Sequence, residues 1–288
     1  MNLLVRCSCV LQAALCLCVS AVADNEWPQF RGPDGQGHAS ATGLPTTWSE
    51  KENIVWKSAV PGEGHSSPVI SGDQIWLTTA ITEDLTAEEE KERLAKIKGR
   101  ALVISPAANW VYAYDPENGS EIWKASYGQL GFSTVPRPVA SEDTVYIATS
   151  YMQSRLIAVK TDGNGDVSET HVAWKADKQI PQKPSLLLHE NRLYFVSDKG
   201  IVRCVNPTTG EDIWFDRLAG DYSASPLESE GHLYFCGQNG TCTVLQAGDE
   251  FKVLAKNVLD ADFMASPAVA EKSIYLRSTT HLYRIENL

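Results

Sequence analysis

The chain has 288 residues, with 25 Lys and Arg against 36 Asp and Glu and a formal net charge of −11. Hydrophobic residues make up 43% and charged residues 21%, which excludes a disordered or collagen-like chain. The acidic balance, with no run of Lys and Arg, excludes nucleic acid as a partner, because affinity for phosphate depends on clustered bases. Eight Trp, ten Tyr, 20 Gly and 14 Pro, against only three Met, point to many strands joined by tight turns.

Residues 1–23 carry one charge, Arg6, then an apolar stretch that ends in Ala21-Val22-Ala23 before Asp24. Small residues at these places are the pattern of a secretory signal with its cleavage site. The stretch Cys7–Ala23 is shorter than the ~20 apolar residues of a membrane-spanning helix. The expectation is therefore export and cleavage, with no transmembrane segment in the mature chain. Cys16 and Cys18 each follow a Leu, where lipid attachment wants a small residue. Cleavage leaves Cys204, Cys236 and Cys242, which cannot all pair within the chain. Cys236 and Cys242 flank the turn Gly237-Gln238-Asn239-Gly240, so a bridge across a hairpin is conceivable. The favoured reading makes all three small apolar fillers of strands.

Residues 24–53 read as a lead-in to a single domain over 54–288. Ile54-Val55-Trp56-Lys57 is a strand carrying a Trp. An irregular unit follows, built from His65–Ile70, Gln74–Thr78, Trp110–Tyr114 and Glu121–Trp123, and interrupted by an insert over 81–100. Within that insert Thr86 and Glu89 form a capping box, acids lead, bases trail and Gly99 stops the run, so a short exposed helix is expected.

From there the chain repeats with a period of about forty residues. Units run over 135–174, 182–214, 223–254 and 264–288. Each has a Ser/Pro element, a Tyr-rich strand, a turn, a second strand, another turn and usually a Trp. Aligned by sequence, the prolines are Pro138, Pro184, Pro226 and Pro267, and the Trp position is Trp123, Trp174, Trp214 and then Leu254. Leu193–Val196 has the β-branched and aromatic content of a strand. Ser197-Asp198-Lys199-Gly200 places Gly where a hairpin needs positive φ. Four strands per repeat make an all-β fold, a β-propeller of about five four-stranded blades with one short inserted helix. The last unit stops one strand short, and Trp56 supplies the missing strand, so N- and C-terminal strands close the ring without an open edge.

The units Val111-Tyr112-Ala113-Tyr114-Asp115-Pro116-x-x-Gly119-x-x-x-Trp123 and Val205-Asn206-Pro207-x-x-Gly210-x-x-x-Trp214 resemble the tryptophan-docking repeat of the pyrroloquinoline-quinone-like (PQQ-like) propellers. That superfamily includes quinoprotein alcohol dehydrogenases and a periplasmic propeller lipoprotein of outer-membrane protein assembly. Trp27-Pro28-Gln29-Phe30-Arg31-Gly32-Pro33-Asp34-Gly35 is similar to the opening of exported, planctomycete-type members. The resemblance implies an exported bacterial propeller of seven or eight blades, whereas this chain accounts for five. Ala101–Pro106 looks like a second copy of a strand already supplied by Gln74–Thr79, as an internal deletion near Gly99–Ala101 would leave it, and a natural five-bladed ring is the alternative. The resemblance assigns Trp56, Trp123, Trp174 and Trp214 a structural role between blades.

Quinone chemistry in this family needs a vicinal disulfide and a calcium site with a base. No two cysteines are adjacent in this sequence, and no carboxylate cluster matches by motif, so neither PQQ nor calcium is expected. Asp162-Gly163-Asn164-Gly165-Asp166 begins like a calcium loop but has Val167 at the Gly position and Ala173 where a bidentate Glu belongs, so a turn is expected. The six His show no metal-ligand spacing. The residues leading into the first strand of each unit would gather at one mouth of the propeller channel. They are His65, Arg137, Lys183, Tyr222, Asp262 and Phe263, with Arg137 and Lys183 as candidate holders of an anionic group. The reading is an exported non-catalytic scaffold of the periplasm or cell envelope that binds an envelope protein or a small polar ligand. The alternative is a PQQ-dependent oxidoreductase.

Overall fold

The computed structural model describes residues 27–60, 66–71, 74–77, 103–106, 109–114, 119–126, 128, 134–149 and 153–288. The expected signal, the inserted helix and His65 lie outside the described residues. Twenty-two strands are described, and five four-stranded sheets and one two-stranded ladder account for all of them.

Three consecutive blades are complete meanders. The first holds β7 (Val139–Ala140), β8 (Thr144–Ala148), β9 (Leu156–Lys160) and β11 (Val172–Ala176). The second holds β12 (Leu187–His189), β13 (Arg192–Val196), β14 (Ile201–Val205) and β15 (Asp212–Arg217). The third holds β16 (Leu227–Ser229), β17 (His232–Cys236), β18 (Thr241–Gln246) and β19 (Lys252–Val258). A fourth is completed from both parts of the chain: β20 (Ala268–Ala270), β21 (Ser273–Arg277) and β22 (His281–Ile285) take β1 (Ile54–Ala59) as an antiparallel neighbour. Trp56 sits opposite Arg284 in that ladder, so the closing strand is where the repeat required it.

The irregular first unit is two pieces of sheet. β2 (Val69–Ser71) and β3 (Gln74–Trp76) pair only with each other. β4 (Val103–Pro106) supplies the antiparallel partner of β5 (Trp110–Tyr114), which continues into β6 (Glu121–Ser126). Val103–Pro106 thus displaces Gln74–Trp76 from the blade expected to contain it. The outer edge of this sheet is covered by β10 (Gly165–Asp166), which runs parallel to β6 and opposite Trp123 and Lys124. The segment that resembled a calcium loop is a turn, as expected, that ends in this short edge strand, and Asp166 accepts hydrogen bonds from both the N–H and the hydroxyl of Ser168, at 3.1 and 2.6 Å.

Turn chemistry follows the sequence. Gly200 and Gly240 hold φ of +82° and +76°, and a Cβ on Gly200 would come within 2.5 Å of the Leu218 carbonyl. The cysteine expectation is corrected for two of the three residues. Cys236 and Cys242 are direct cross-strand partners on β17 and β18, 4.0 Å apart at Cα, and form a disulfide, while Cys204 remains a buried free thiol. The hairpin register places the two side chains face to face, a relation that spacing alone left open.

The core lies between blades. In two of the complete blades a tryptophan of the outermost strand docks on the next repeat: Trp174 Nε1 donates to Pro207 O at 2.8 Å and Trp214 Nε1 to Gly248 O at 2.9 Å. Each rests on a tyrosine of its own blade, Tyr146 or Tyr194, with ring centroids 6.1 and 6.0 Å apart. Trp123 is buried against Val145, Ile147 and Val167 of the following blade. The third complete blade departs from the expected alignment. Its β18–β19 ladder pairs Val244 with Ala255, the place equivalent to the Cys204–Trp214 pair, so Ala255 and not Leu254 holds the Trp position. Leu254 is 37% exposed. Trp48 of the lead-in fills the space, stacked on Tyr234 at 6.3 Å.

Candidate functional site

The innermost strands β2, β7, β12, β16 and β20 are linked by a relay of hydrogen bonds from one repeat to the next. The backbone N–H of Arg137 donates to Ser185 Oγ (3.0 Å), Ser185 N–H to Ser225 Oγ (3.0 Å), Ser225 N–H to Ser266 Oγ (2.9 Å) and Ser266 N–H to Ser67 Oγ (3.0 Å). Each relay residue stands two places before its innermost strand, at 67, 137, 185, 225 and 266. The structural equivalent of Pro68, Pro138, Pro226 and Pro267 is therefore Leu186, and Pro184 lies two residues out of register. Short hydroxyls at these places satisfy buried backbone donors that no strand reaches.

This register separates the six expected mouth residues. Arg137 alone is a relay residue. Lys183 stands two residues earlier in its repeat and is turned to Asp198 Oδ1 at 3.4 Å. Tyr222 and Phe263 are equivalent to each other and fully buried. Tyr222 donates its hydroxyl to Ala219 O at 3.2 Å, and burial pushes its pKa up to about 12. Phe263 packs edge-on against Tyr283, with centroids 6.3 Å apart. Both are core side chains, because the chain must turn inward here to reach the axis, and neither lines an open mouth. Asp262 is exposed beside Asn239, Asp260 and Thr280 in a cleft of about 400 Å3. Beside the Lys183–Asp198 pair, a polar cleft of about 620 Å3 is lined by Arg155, Asp177, Gln182 and Lys199.

The lead-in is the part whose role sequence reasoning missed. Residues 27–41 lie along the innermost strands, and residues 46–50 reach the outermost strand β19. Trp27 exchanges backbone hydrogen bonds with Ile70, both 2.9 Å. Gln36 Oε1 accepts from the Ala140 N–H at 2.9 Å, Ala39 N–H donates to Glu228 O at 2.9 Å, and Ser229 Oγ donates to Ala41 O at 2.7 Å. The sequence signal was present in its Gly-rich, Trp-containing composition, but no repeat explained it.

Within the lead-in, His38 is held at both ring nitrogens, by Asp34 Oδ2 at 2.6 Å and by Leu188 O at 2.7 Å. Burial pulls its pKa down, but hydrogen bonding and attraction to Asp34 outweigh this and raise it. His38, His189 and Glu228 place potential ligand atoms within 4.8 Å of one another. A carbonyl only accepts, so the His38 nitrogen facing Leu188 O carries a proton and is not free for a metal. Glu228 is committed to the Gly231 N–H at 2.9 Å and to His189 at 3.4 Å. The cluster reads as a clamp on the lead-in.

Arg31 lies beneath the same segment and is 2% exposed. One of its terminal nitrogens donates to Gln36 O, while Nε and Nη1 have no partner. Arg137 Nη1 donates to Phe30 O at 3.1 Å, next to Arg31 in the chain.

These features define the class: a β-propeller whose blades are joined by docked tryptophans and an axial serine relay. The chain belongs to the PQQ-like repeat family whose model is described as "Outer membrane protein assembly factor BamB", matched over residues 39–163 and 71–287. No curated protein matches the chain. Among solved structures, BamB from Moraxella catarrhalis is 12% identical, covering 66% of this chain and 71% of that one, with a TM-score of 0.39. A europium-containing methanol dehydrogenase is 10% identical over 90% of this chain and 55% of that one, with a TM-score of 0.49. The WD40 domain of Toxoplasma gondii coronin is 12% identical over 62% of this chain and 50% of that one, with a TM-score of 0.47. The chain thus spans about half the length of the last two.

Proposed function

We propose that the protein is an exported, non-catalytic propeller that acts as a binding scaffold for an envelope protein. The observation that carries this reading is membership of a family whose description is an assembly factor. The use of the repeat residues supports it. Trp174 and Trp214 are spent on neighbouring blades, Tyr222 and Phe263 on the core, and Lys183 on Asp198. What remains for recognition is the outer surface of the blades and the polar clefts between them. Two features support a reading without PQQ. The lead-in with buried Arg31 lies along the innermost strands, and Trp174 and Trp214 are already stacked and bonded elsewhere.

The test is a pair of measurements on the purified mature protein. Incubation with PQQ and calcium is expected to give no bound quinone band and no dye reduction, and either signal would favour the oxidoreductase. Affinity capture from envelope fractions, with the cleft variant Arg155→Glu/Lys199→Glu as control, is expected to enrich one envelope protein with wild type only. Fractionation of cells expressing the full chain should place it in the periplasm or envelope, and recovery in the cytoplasm would overturn the export reading.

A further inference from the structure

Among the five relay positions, four are serine and one is Arg137. Serine both donates its backbone N–H and accepts at its hydroxyl; arginine has no acceptor, so Arg137 can only begin the relay. A long cation has thus replaced a short hydroxyl at one of the five relay positions described. Its guanidinium extends to the lead-in, against Gly35, at a φ of +68°. Two residues on, Gly37 is packed against the Arg31 guanidinium, and a Cβ there would lie 2.7 Å from Arg31 Nη2. The lead-in backbone therefore lies against both guanidinium groups and admits no side chain at either place.

Neither arginine has a carboxylate partner among the described residues. Asp34, the acid nearest in sequence, is already bonded to His38 and to the Gln36 N–H. Arg31 itself holds an unusual backbone conformation for a non-glycine residue, with φ of +67°, which keeps its side chain directed inward. A fully buried guanidinium with two unpartnered nitrogens is strongly disfavoured unless an anion or water completes it. A second guanidinium beside it makes the deficit one of negative charge. Burial and the neighbouring Arg137 both push the Arg31 pKa down, against the opposing pull of Asp34, and it still carries its charge at neutral pH.

We propose that Arg31 and Arg137 together bind one oxyanion, a carboxylate or phosphate group, beneath the lead-in at the propeller axis. The fork of a guanidinium matches two oxygens of such a group, and two forks with no acid between them select an anion over water. The site stands apart from the scaffold reading: it would exist in a binder or an enzyme alike.

The decisive variant is Arg137→Ser, which restores the serine of the other four repeats and should fold. Thermal melts of the mature protein are run in inorganic phosphate, in acetate and in a short peptide with a free C-terminus, each matched in ionic strength with chloride. The wild type is expected to show a saturable rise in melting temperature with at least one of them. Arg137→Ser is expected to weaken the apparent affinity about tenfold or more. Arg31→Met is expected to lose the response and, in chloride, to melt no lower than the wild type, since an unpartnered buried charge is removed. A response to phosphate alone or to the carboxylates alone would support the site and name its ligand class. No response in the wild type, or an unchanged one in Arg137→Ser, would overturn the proposal.

Discussion

The second and third complete blades, residues 187–217 and 227–258, are copies of one design that meet one need differently. Their first three strands begin forty residues apart in every case, at 187 and 227, 192 and 232, and 201 and 241. In the first, Trp214 of the outermost strand rests on Tyr194 and bonds to Gly248. In the second, a one-residue shift in the β18–β19 register puts Ala255 at that place, and Trp48 comes from the lead-in to rest on Tyr234. Asn257 anchors the visitor by accepting from the Trp48 N–H at 2.8 Å and donating to Thr46 O at 2.9 Å. The blade needs a buried indole volume over its tyrosine; which strand delivers it is negotiable. At the hairpin the difference runs the other way. Val196 faces Val202 in one blade, and Cys236 faces Cys242 in the other.

The comparison breaks first at Trp48. Trp48→Ala should destabilise the protein by about 3–5 kcal/mol in urea unfolding, as loss of a buried aromatic does elsewhere. Adding Ala255→Trp to that variant should recover part of the loss, by returning the indole to the strand that carries it in the neighbouring blade. If Trp48→Ala costs under about 1 kcal/mol, the lead-in is not a structural member of the blade.

A smaller effect is expected at the hairpin. Reducing the Cys236–Cys242 bridge, or replacing it with the valines of the preceding blade, should cost roughly 2 kcal/mol, the loop-closure value for so short a loop. The melting temperature of Cys236→Val/Cys242→Val measured with and without reductant checks this, because the variant should be indifferent to reductant while the wild type is not. Next comes the relay. Ser225→Ala removes the acceptor of the buried Ser185 N–H and should cost about 1 kcal/mol, whereas Ser185→Ala, whose orphaned donor is the half-buried Arg137 N–H, should cost less.

The smallest effect is pH-dependent. His38 has a raised pKa, so its contribution is complete below its ordinary value of 6.5 and is lost as pH rises through the folded value. Burial acts to raise the Asp34 pKa, but the hydrogen bond to His38 wins and lowers it, so its contribution is complete above 3.8 and is lost on acidification. Glu228, with a lowered pKa of its own, and His189 face the same cluster. The lead-in should therefore be held best between about pH 4 and 6.5. Protease sensitivity of residues 27–50 should rise from pH 6.5 to pH 9 in the wild type and stay flat in His38→Gln.

Much of the blade arithmetic was legible because strand alternation, Gly-bearing turns and a forty-residue period each left a local mark. The four-strand meanders, the borrowed strand at Trp56 and the five four-stranded sheets follow from those marks. Leu254 shows where the marks stopped: equal spacing named the wrong residue, because a register shift of one in a ladder is invisible to spacing and moves every side chain to the other face. Pro184 failed for the same reason, two residues off the true relay position. The candidate site was legible in part. Arg137 was singled out because it leads into an innermost strand, but Tyr222 and Phe263 share that neighbourhood and are core, and burial is a property of what packs on top.

Composition, periodicity and turn residues by themselves determined an all-β chain of repeated blades, acidic overall, because each of these is set by neighbours in sequence, and the strand missing from the last repeat pointed to Trp56 as its supplier. The tertiary structure alone decided that Trp48 completes a distant blade, that Cys236 and Cys242 pair, and that the lead-in lies over two arginines with no carboxylate partner among the described residues. Those are contacts between residues far apart in the chain, and they are settled by which volumes and charges remain unfilled once the blades have formed.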